Sequence, residues 1–358
     1  MKKCMPRRSL IILLISVFTI YVYGQDKSSE REIPSLKKVF EKNFLIGSGA
    51  MHPKKYLSER YFPLIIKNYN TLTINTFYPA IIHPKEGLFR WKDSDYAIEF
   101  AVKNNLKIRG HVLVWHKEGI GGQWMLKDSS GVSLGRDAAL AKMKEHIQTI
   151  AKRYRGKVWA WDVVNEAVDV KEVDNIKKCL LKEVIGPDYI EKAFLYAHEA
   201  DPEAKLFYND FNECNPRKRE AIFKLIKSLL EKGIPVSGLG MQMHTTLERP
   251  SIEELEKAIE LYSKLGIDIH ITEMDIDMNP EGNLTVFTDE LNRKQAERYK
   301  EIFSVFKKYN KFIKAVYTWG IDDSLTWLKD NKSQKRANWP LLFDENLEPK
   351  AAFWSIVN

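Results

Sequence analysis

Two glutamates in this chain each follow a strongly apolar stretch and could share the cleavage of a glycosidic bond. Glu166 ends the segment Trp161–Glu166, and Glu273 directly follows Ile267–Thr272. Glycoside cleavage with retention needs one protonated carboxyl group that donates to the leaving oxygen and one ionised carboxylate that attacks the anomeric carbon. Different surroundings can separate the pKa values of two such groups. The pattern predicts Glu166 as general acid/base, with a raised pKa, and Glu273 as nucleophile.

Several polar residues could orient these two glutamates or bind sugar. We expect His244 and Asp275 to hydrogen-bond near Glu273 and keep it ionised, and Asn165 to bind a sugar hydroxyl. Taken singly, such residues are more often structural, since a lone Asn-Glu pair is usually an exposed turn. Their joint occurrence at the ends of successive apolar runs favours a functional site.

The same apolar runs predict the architecture that brings these residues together. Eight short runs alternate with longer amphipathic segments, which is the pattern of a single (β/α)₈ TIM barrel with its chemistry at the carboxyl ends of the strands. The runs are Phe44–Gly49, Thr71–Asn75, Lys107–Val114, Val158–Val164, Ala204–Tyr208, Val236–Met241, Ile267–Thr272 and Phe312–Thr318.

Helices are predicted between these strands, some with clear start signals. Asp137 and Ser251 are candidate caps, because their side-chain oxygens can accept from free backbone N–H groups. A doubly wound open sheet is the alternative, but Gly47-Ser-Gly49 does not complete the glycine-rich pattern expected after its first strand. The predicted helices include Arg136–Tyr154, Pro187–Ala200, Pro216–Lys232, Ile252–Leu265 and Thr288–Tyr309.

Aromatic residues at the strand ends are suited to sugar binding. Tryptophan faces bury a large area against a pyranose ring with little loss of side-chain freedom, and Trp115, Trp319 and Trp327 are placed for this role. A metal centre is the competing interpretation of the histidines. His111 and His116 do not form a His-x-His or His-Glu-x-x-His pattern, so we expect no metal site.

The N-terminus is typical of a secretory signal peptide. Lys2, Lys3, Arg7 and Arg8 precede an apolar run from Leu10 to Tyr23, and a polar stretch follows Gly24. We expect residues 1–24 to be removed and residues 25–358 to form the barrel of an exported protein that is periplasmic, cell-surface or extracellular. An uncleaved anchor is the alternative, although the run is short for a membrane span.

Charge and cysteine content restrict the partners. The net charge is +8, and residues 1–24 contribute four of these charges without any acid. The rest mixes Lys and Arg with Asp and Glu, which argues against nucleic-acid binding. Cys179 and Cys214 remain after cleavage and can be bridged or free in an exported protein. We expect a monomer that binds a polysaccharide or oligosaccharide.

From Phe44 onward, the residues around these strand ends resemble glycoside hydrolase family 10, the endo-β-1,4-xylanase family. The resemblance rests on seven motifs: Arg109-Gly-His-Val-Leu-Val-Trp-His116, Trp161-Asp-Val-Val-Asn-Glu166, Tyr208-Asn-Asp-Phe-Asn212, Gly238-Leu-Gly-Met-Gln-Met-His244, Ile271-Thr-Glu-Met-Asp275, Trp319-Gly-Ile-Asp322 and Leu341-Leu-Phe-Asp344.

The resemblance implies a TIM barrel, a retaining endo-acting xylanase and no cofactor. It places the family's acid/base on Glu166 and its nucleophile on Glu273, with His244 bonding the nucleophile and Asp275 behind it. Its sugar-binding positions fall on Asn75, His111, Trp115, Asn165, Gln242, Trp319 and Trp327.

Three residues depart from the family pattern on one side of the implied cleft. The family usually has glutamate and lysine at the positions of Ile74 and Tyr78, and glutamine at that of Glu118. The first two normally bond hydroxyls of the sugars on the non-reducing side. The alternative function is therefore the same chemistry on a decorated xylan or another β-linked plant or algal glycan. A non-catalytic sugar-binding protein is a further alternative from a different class.

Overall fold

The computed structural model describes Met1 and residues 32–49, 57–331 and 334–358. The chain divides into two units, Met1–Ile33 and Pro34–Asn358, and all elements below belong to the second. The predicted signal peptide, residues 1–24, lies outside the described residues apart from Met1.

The second unit is built around a closed parallel barrel. The described strands are β1 Leu45–Ser48, β2 Thr71–Ile74, β3 Lys107–Trp115, β4 Ala160–Asn165, β5 Lys205–Asp210, β6 Gly238–Met241, β7 His244–Thr246, β8 Asp268–Asp277, β9 Ile313–Thr318, β10 Asp330–Asn331 and β11 Gln334–Lys335. Strands β1 to β6, β8 and β9 pair in chain order, β6 pairs with β8, and β9 returns to β1.

Helices connect successive strands and cover the barrel. Their apolar faces are buried, as in the long helix after β3, where Met143, Ile147 and Ile150 lie inward. The described helices are α1 Leu36–Val39, α2 Phe62–Asn68, α3 Pro79–Ile82, α4 Lys92–Lys103, α5 Arg136–Arg153, α6 Leu180–Val184, α7 Tyr189–Ala200, α8 Pro216–Glu231, α9 Ile252–Ser263, α10 Asp289–Lys308 and α11 Ala351–Val357. Single 3-10 turns occupy Gln123–Met125, Asp323–Leu325 and Trp327–Lys329.

The predicted (β/α)₈ barrel is confirmed, and its eight strands fall on the eight apolar runs. These strands read as continuous apolar runs because a parallel sheet wrapped by helices is buried on both faces; every residue of β4 is buried, for example. Ser251 caps α9 as predicted, with its hydroxyl accepting from the Glu254 N–H. Asp137 instead lies in the first turn of α5, after Gly135 at the N-cap.

Two differences from the prediction bear on the site. Strand β8 runs on to Asp277, so Glu273 lies within a strand instead of after one. The short strand β7 was not predicted; it pairs in parallel with the extension of β8 and sets His244 opposite Asp275. Three residues carry too little periodicity for a pattern to detect such a strand.

The barrel interior contains charge as well as apolar side chains. The Arg109 guanidinium is fully buried and forms a two-pronged ion pair with Asp162 on the neighbouring strand. Close packing here depends on Gly110, since a Cβ at this position would overlap the Trp161 ring. Such a buried pair is stable only when further hydrogen bonds satisfy its remaining donors and acceptors. His270 and His111 supply these bonds.

Cys179 and Cys214 are both free thiols, which decides between the two alternatives left by the sequence. Cys214 is buried beside Met243, with the two sulfurs 3.9 Å apart. Within the described part of the chain, no helix combines the length and apolar character needed to cross a membrane.

Candidate active site

Glu166 stands directly after β4, at the mouth of the barrel. Its backbone adopts the left-handed conformation, with φ of +57°, which is uncommon for a residue other than glycine. The Glu166 N–H donates to the carbonyl oxygen of Asn209 on the adjacent strand, at 2.8 Å. The turn therefore directs the carboxyl group away from the strand and over the barrel.

Two neutral N–H donors hold the Glu166 carboxyl group. The indole of Trp115 donates to Oε2 at 3.0 Å, and the side-chain amide of Gln242 donates to Oε1 at 3.1 Å. Both side chains come from the ends of other strands. The structure thus brings Trp115 and Gln242 to the acid/base candidate, with Trp115 acting as a donor in addition to any contact with sugar.

Glu273 lies inside β8 and is only 5% exposed. The Asn209 side-chain amide donates to its Oε1 at 2.8 Å. His244 Nε2 lies 3.4 Å from its Oε2. The backbone N–H of Glu273 donates to the Gln242 carbonyl oxygen at 3.0 Å. Donors on two sides fix both the position and the orientation of this carboxylate.

Asp275 acts on Glu273 through His244. The pairing of β7 with β8 places His244 Nδ1 2.9 Å from Asp275 Oδ1. Burial disfavours the charged imidazole, but the carboxylates of Asp275 and Glu273 outweigh it and hold the pKa of His244 well above its usual value. The second oxygen of Asp275 accepts from the Trp327 indole at 2.7 Å.

A side-chain network joins the surroundings of the two glutamates. Asn209 Nδ2 also lies 2.9 Å from Asn165 Oδ1, which accepts from Gln242 as well, at 3.3 Å. The Thr272 hydroxyl fixes the other end of Asn209, at 2.7 Å from its Oδ1. The sequence reasoning did not select Asn209 as a site residue. The sequence feature that could have identified Asn209 is its position in Tyr208-Asn-Asp at the end of β5.

His111 lies at the mouth above the buried ion pair. Its Nδ1 is 2.9 Å from Asp162 Oδ2. Burial disfavours its charged form, yet the hydrogen bond that His111 donates to Asp162 and the charge of Glu273 raise the pKa of His111. Burial also opposes ionisation of Asp162, but Arg109 and His111 outweigh it and lower its pKa. An ionised Asp162 therefore holds the Nδ1 proton and turns the other ring nitrogen of His111 outward.

The two remaining tryptophans differ in exposure. Trp319 is nearly buried and meets the rings of His111 and His244 edge-on, with centroids 5.5 and 6.5 Å apart. Trp327 is 50% exposed, and its ring centroid lies 5.0 Å from that of His244. Trp327 thus presents an exposed aromatic face beside His244.

The three residues that depart from the family pattern, Ile74, Tyr78 and Glu118, occupy different environments. Ile74 is fully buried within β2 and does not reach the cleft. Tyr78 is half-buried at the mouth, next to His111 and Trp115. Glu118 is exposed on the loop after β3. Asn75, between the first two, has a buried side-chain oxygen with no hydrogen-bond partner in the described part of the chain.

The chemistry available at this mouth is that of carboxylates, amides, imidazoles and indoles. Among the described residues, no three His, Cys, Asp or Glu side chains are grouped so that they could hold a metal ion. One carboxyl group with neutral donors stands near another that is held by an amide and an imidazole. Such an arrangement fits proton transfer by the first group and nucleophilic attack by the second.

Comparisons with known proteins agree with this site. The model of glycosyl hydrolase family 10 matches residues 35–358. The chain is 46% identical to an endo-1,4-β-xylanase of Geobacillus stearothermophilus over 91% of its length and 98% of the relative's. It is 40% identical to a β-1,4-xylanase of Dictyoglomus thermophilum, over 98% of each. A crystal structure of a xylanase from Paenibacillus barcinonensis superimposes with a TM-score of 0.86 at 39% identity, covering 92% of this chain and 99% of that one.

Proposed function

The chain belongs to glycosyl hydrolase family 10, and we propose that it is a retaining endo-1,4-β-xylanase. Glu166 is its general acid/base and Glu273 its nucleophile. The substrate is the xylan backbone, which its similar relatives are named for cleaving.

One observation carries the assignment of roles. The two carboxyl groups share a single connected set of side chains, yet they receive different partners from it. Among the described residues, the side-chain donors to Glu166 are neutral, Trp115 and Gln242, whereas Glu273 faces His244, whose pKa is raised. A neighbouring cation favours an ionised carboxylate, so Glu273 is suited to attack and Glu166 to exchange protons.

The first step transfers the sugar to the protein. The Glu273 carboxylate attacks the anomeric carbon, and the bond from that carbon to the glycosidic oxygen breaks. Glu166 donates its proton to the departing oxygen, which leaves as a hydroxyl group of the released chain. The electron pair of the broken bond stays with that oxygen. Asn209 and His244 keep Glu273 aligned for the attack.

The second step releases the sugar. Glu166, now ionised, takes a proton from a water molecule, whose oxygen attacks the anomeric carbon. The bond to Glu273 breaks, and its carboxylate is regenerated. Two inversions at one carbon return the original β configuration.

Substitution of each glutamate tests these roles. Both Glu166→Ala and Glu273→Ala should lower kcat on xylan by several orders of magnitude, whereas Glu231→Ala, on the exposed end of α8, should leave it unchanged. With an activated aryl β-xylobioside, added azide should give a β-glycosyl azide from Glu166→Ala and an α-glycosyl azide from Glu273→Ala. Retained turnover in Glu273→Ala, or exchanged product configurations, would contradict the assignment.

A second candidate substrate is favoured by the side of the cleft near β2. Ile74 is buried and Tyr78 is uncharged there, so a decorated xylan or another β-linked glycan remains an alternative for the same chemistry. Purified glycans, with products sized and identified, separate the two. Undecorated xylan as the preferred substrate would reject the alternative.

We also propose that the protein is exported after removal of residues 1–24 and acts as a monomer. The basic and apolar pattern of the N-terminus supports export. N-terminal sequencing of secreted protein and its mass in solution would test both points; an intact N-terminus or a stable dimer would contradict them.

A further inference from the structure

Two residues link the barrel strand β6 to the short strand β7 that carries His244. Strand β6 ends at Met241 and β7 begins at His244, so Gln242 and Met243 form the connection. The Met243 backbone is left-handed, with φ of +58°. This conformation is uncommon for a residue other than glycine and persists only where surrounding contacts hold it. The contacts of this link therefore decide where His244 lies.

The two linking residues are held by different kinds of partner. The Gln242 N–H donates to the Asp210 carbonyl oxygen, and the Gln242 carbonyl oxygen accepts from the Glu273 N–H, both at 3.0 Å. Backbone bonds to the two neighbouring strands thus fix Gln242. The Met243 N–H instead donates to a side chain, the carboxyl oxygen Oε1 of Glu213, at 3.1 Å. The left-handed residue depends on this acceptor.

Glu213 is itself fixed in the loop after β5. It is only 2% exposed. Its backbone carbonyl oxygen accepts from the Tyr262 hydroxyl on α9, at 2.9 Å. Two residues further on, Asn215 caps α8 with its side chain. A loop that is anchored to two helices holds the Glu213 carboxyl group in a constant position.

The carboxyl group of Glu213 is suited to accept a hydrogen bond whether or not it is charged. Lys218 on α8 forms its ion pair with Asp210, at 2.7 Å. Burial raises the pKa of Glu213 to about 7, although its own N–H and that of Met243 act in the opposite direction. Either protonation state keeps an oxygen that can accept from Met243. Acceptance, and not charge, is what this group supplies to the link.

A cavity adjoins this part of the mouth. It has a volume of about 480 Å³ and is bordered by Glu213, Met243 and His244. Side chains beside a cavity lack packing contacts on that side, so packing restrains His244 less than it restrains a core residue. The position of His244 matters, because its imidazole lies 2.9 Å from Asp275 and 3.4 Å from Glu273. A bond to the preceding residue limits its movement.

We propose that Glu213 is a positioning residue, whose carboxyl oxygen holds the Met243 N–H and thereby places His244 against Glu273. Without this acceptor, the left-handed link is released and the imidazole moves away from the nucleophile. The inference rests on the proposed hydrolysis and deepens it, since it adds a residue that acts on the same nucleophile through its neighbour.

Two substitutions of similar size separate the acceptor from the charge. Glu213→Gln keeps an oxygen that can accept from Met243, so kcat on 2,4-dinitrophenyl β-xylobioside should stay near that of the unmodified protein. Glu213→Met keeps the length and removes the acceptor. A buried N–H without a partner disfavours the aligned arrangement roughly tenfold or more, so kcat should fall by about that factor with little change in KM. Glu203→Met, the same change on the exposed turn before β5, is the control.

The titration of His244 distinguishes positioning from a general loss of stability. Burial lowers the pKa of His244, but the carboxylates of Asp275 and Glu273 hold it well above its usual value. If the ring moves away from these carboxylates, His244 should lose its proton at a lower pH in Glu213→Met but not in Glu213→Gln. NMR of the imidazole nitrogens measures this in the folded protein, with His244→Gln to assign the resonance.

Several outcomes would overturn the proposal. An unchanged kcat in Glu213→Met would do so, and so would a loss of kcat without a change in the His244 titration, because Glu213 would then act elsewhere. An equal loss in Glu213→Gln would show that the group acts by its charge. If the unmodified protein hydrolyses neither the xylobioside nor xylan, the proposed function fails, whereas the His244 titration still tests the placement of the ring.

Discussion

Asn209 and Glu273 lie on different strands and are joined by a hydrogen bond of 2.8 Å from the asparagine amide to the carboxylate. The same amide nitrogen lies 2.9 Å from Oδ1 of Asn165, which is the residue directly before Glu166 in the chain. One side chain therefore links the nucleophile candidate with the strand end that presents the acid/base candidate. The Thr272 hydroxyl fixes the orientation of that amide.

Replacing Asn209 should impair turnover more than binding. Asn209→Ala removes a hydrogen bond to a charged group, which contributes roughly 1.5–3 kcal/mol, so kcat on an aryl β-xylobioside should fall about 10- to 100-fold. KM should change little. Asn104→Ala is the control, because the Asn104 side-chain amide bonds the nearby Phe100 carbonyl oxygen at the end of α4, away from the site. An unchanged kcat in Asn209→Ala would remove this residue from the site.

Substitution of Gly240 should also lower kcat, because it would disturb Asn209, although glycine has no side chain that could contact the substrate. A Cβ at this position would overlap Asn209 Oδ1 and crowd Arg109. Gly240→Ala should therefore reproduce the loss in kcat of Asn209→Ala and also lower the melting temperature. Gly135→Ala is the control, since a Cβ there meets no atom within 4 Å. Wild-type kcat in Gly240→Ala would show that Asn209 can move without consequence.

Trp327 should have two separable effects. Its indole N–H donates to Asp275 at 2.7 Å, and its ring is 50% exposed. Trp327→Phe keeps an aromatic face and loses the donor, so kcat should fall several-fold with little change in KM. Trp327→Ala loses both, and KM for xylo-oligosaccharides should rise as well. Identical kinetics in the two variants would show that the ring does not contact the substrate.

Two buried histidines should make the protein sensitive to acid. His83 and His146 face each other with their Nδ1 atoms 3.1 Å apart. Burial lowers the pKa of His83 to about 4, and burial together with His83 lowers that of His146 to about 3. Between these values and the unfolded value of 6.5, the unfolded chain binds protons that the folded chain does not. Stability should therefore fall as the pH drops below about 6.5.

Urea unfolding at a series of pH values checks this expectation. Each histidine contributes a slope of at most about 1.4 kcal/mol per pH unit in that range. His146→Gln should reduce the slope between pH 6 and pH 4, even if the variant is less stable at neutral pH. An unchanged slope would assign the acid sensitivity to other groups.

Reducing agents should leave the protein unaffected. Cys179 and Cys214 are free, so dithiothreitol should not alter the melting temperature or activity. Titration of thiols after unfolding should find both cysteines. A lowered melting temperature on reduction would reveal a disulfide.

Much of the fold could be predicted because the same sequence pattern, an apolar run followed by an amphipathic segment, recurs along the chain. Eight buried parallel strands give eight apolar runs, and the helix after β3, predicted as Arg136–Tyr154, ends one residue earlier than expected. Glu166 could be proposed as a site residue because it follows its strand directly. The extension of β8 past Glu273 was missed, because its polar residues Asp275 and Asp277 interrupt the apolar run.

His244 and Asp275 were expected near Glu273 and lie there, but the other partners of the site residues could not be predicted from the pattern. Nothing in the spacing of Asn209 shows that its amide reaches β8, since that depends on the stagger of strands around the barrel. The donor role of Trp115 likewise depends on which way its ring turns. Sequence periodicity reports the face on which a residue lies, whereas hydrogen bonding depends on distances across strands.

The left-handed backbone conformation at Glu166 lowers the stability of the protein at the position that we assign to the acid/base. A residue with a Cβ in that conformation costs on the order of 1 kcal/mol, which glycine would avoid. Glycine at the position after β4 would thus make the fold more stable, whereas the proposed chemistry requires a carboxyl group there. This single position keeps the protein below the stability that its architecture could reach.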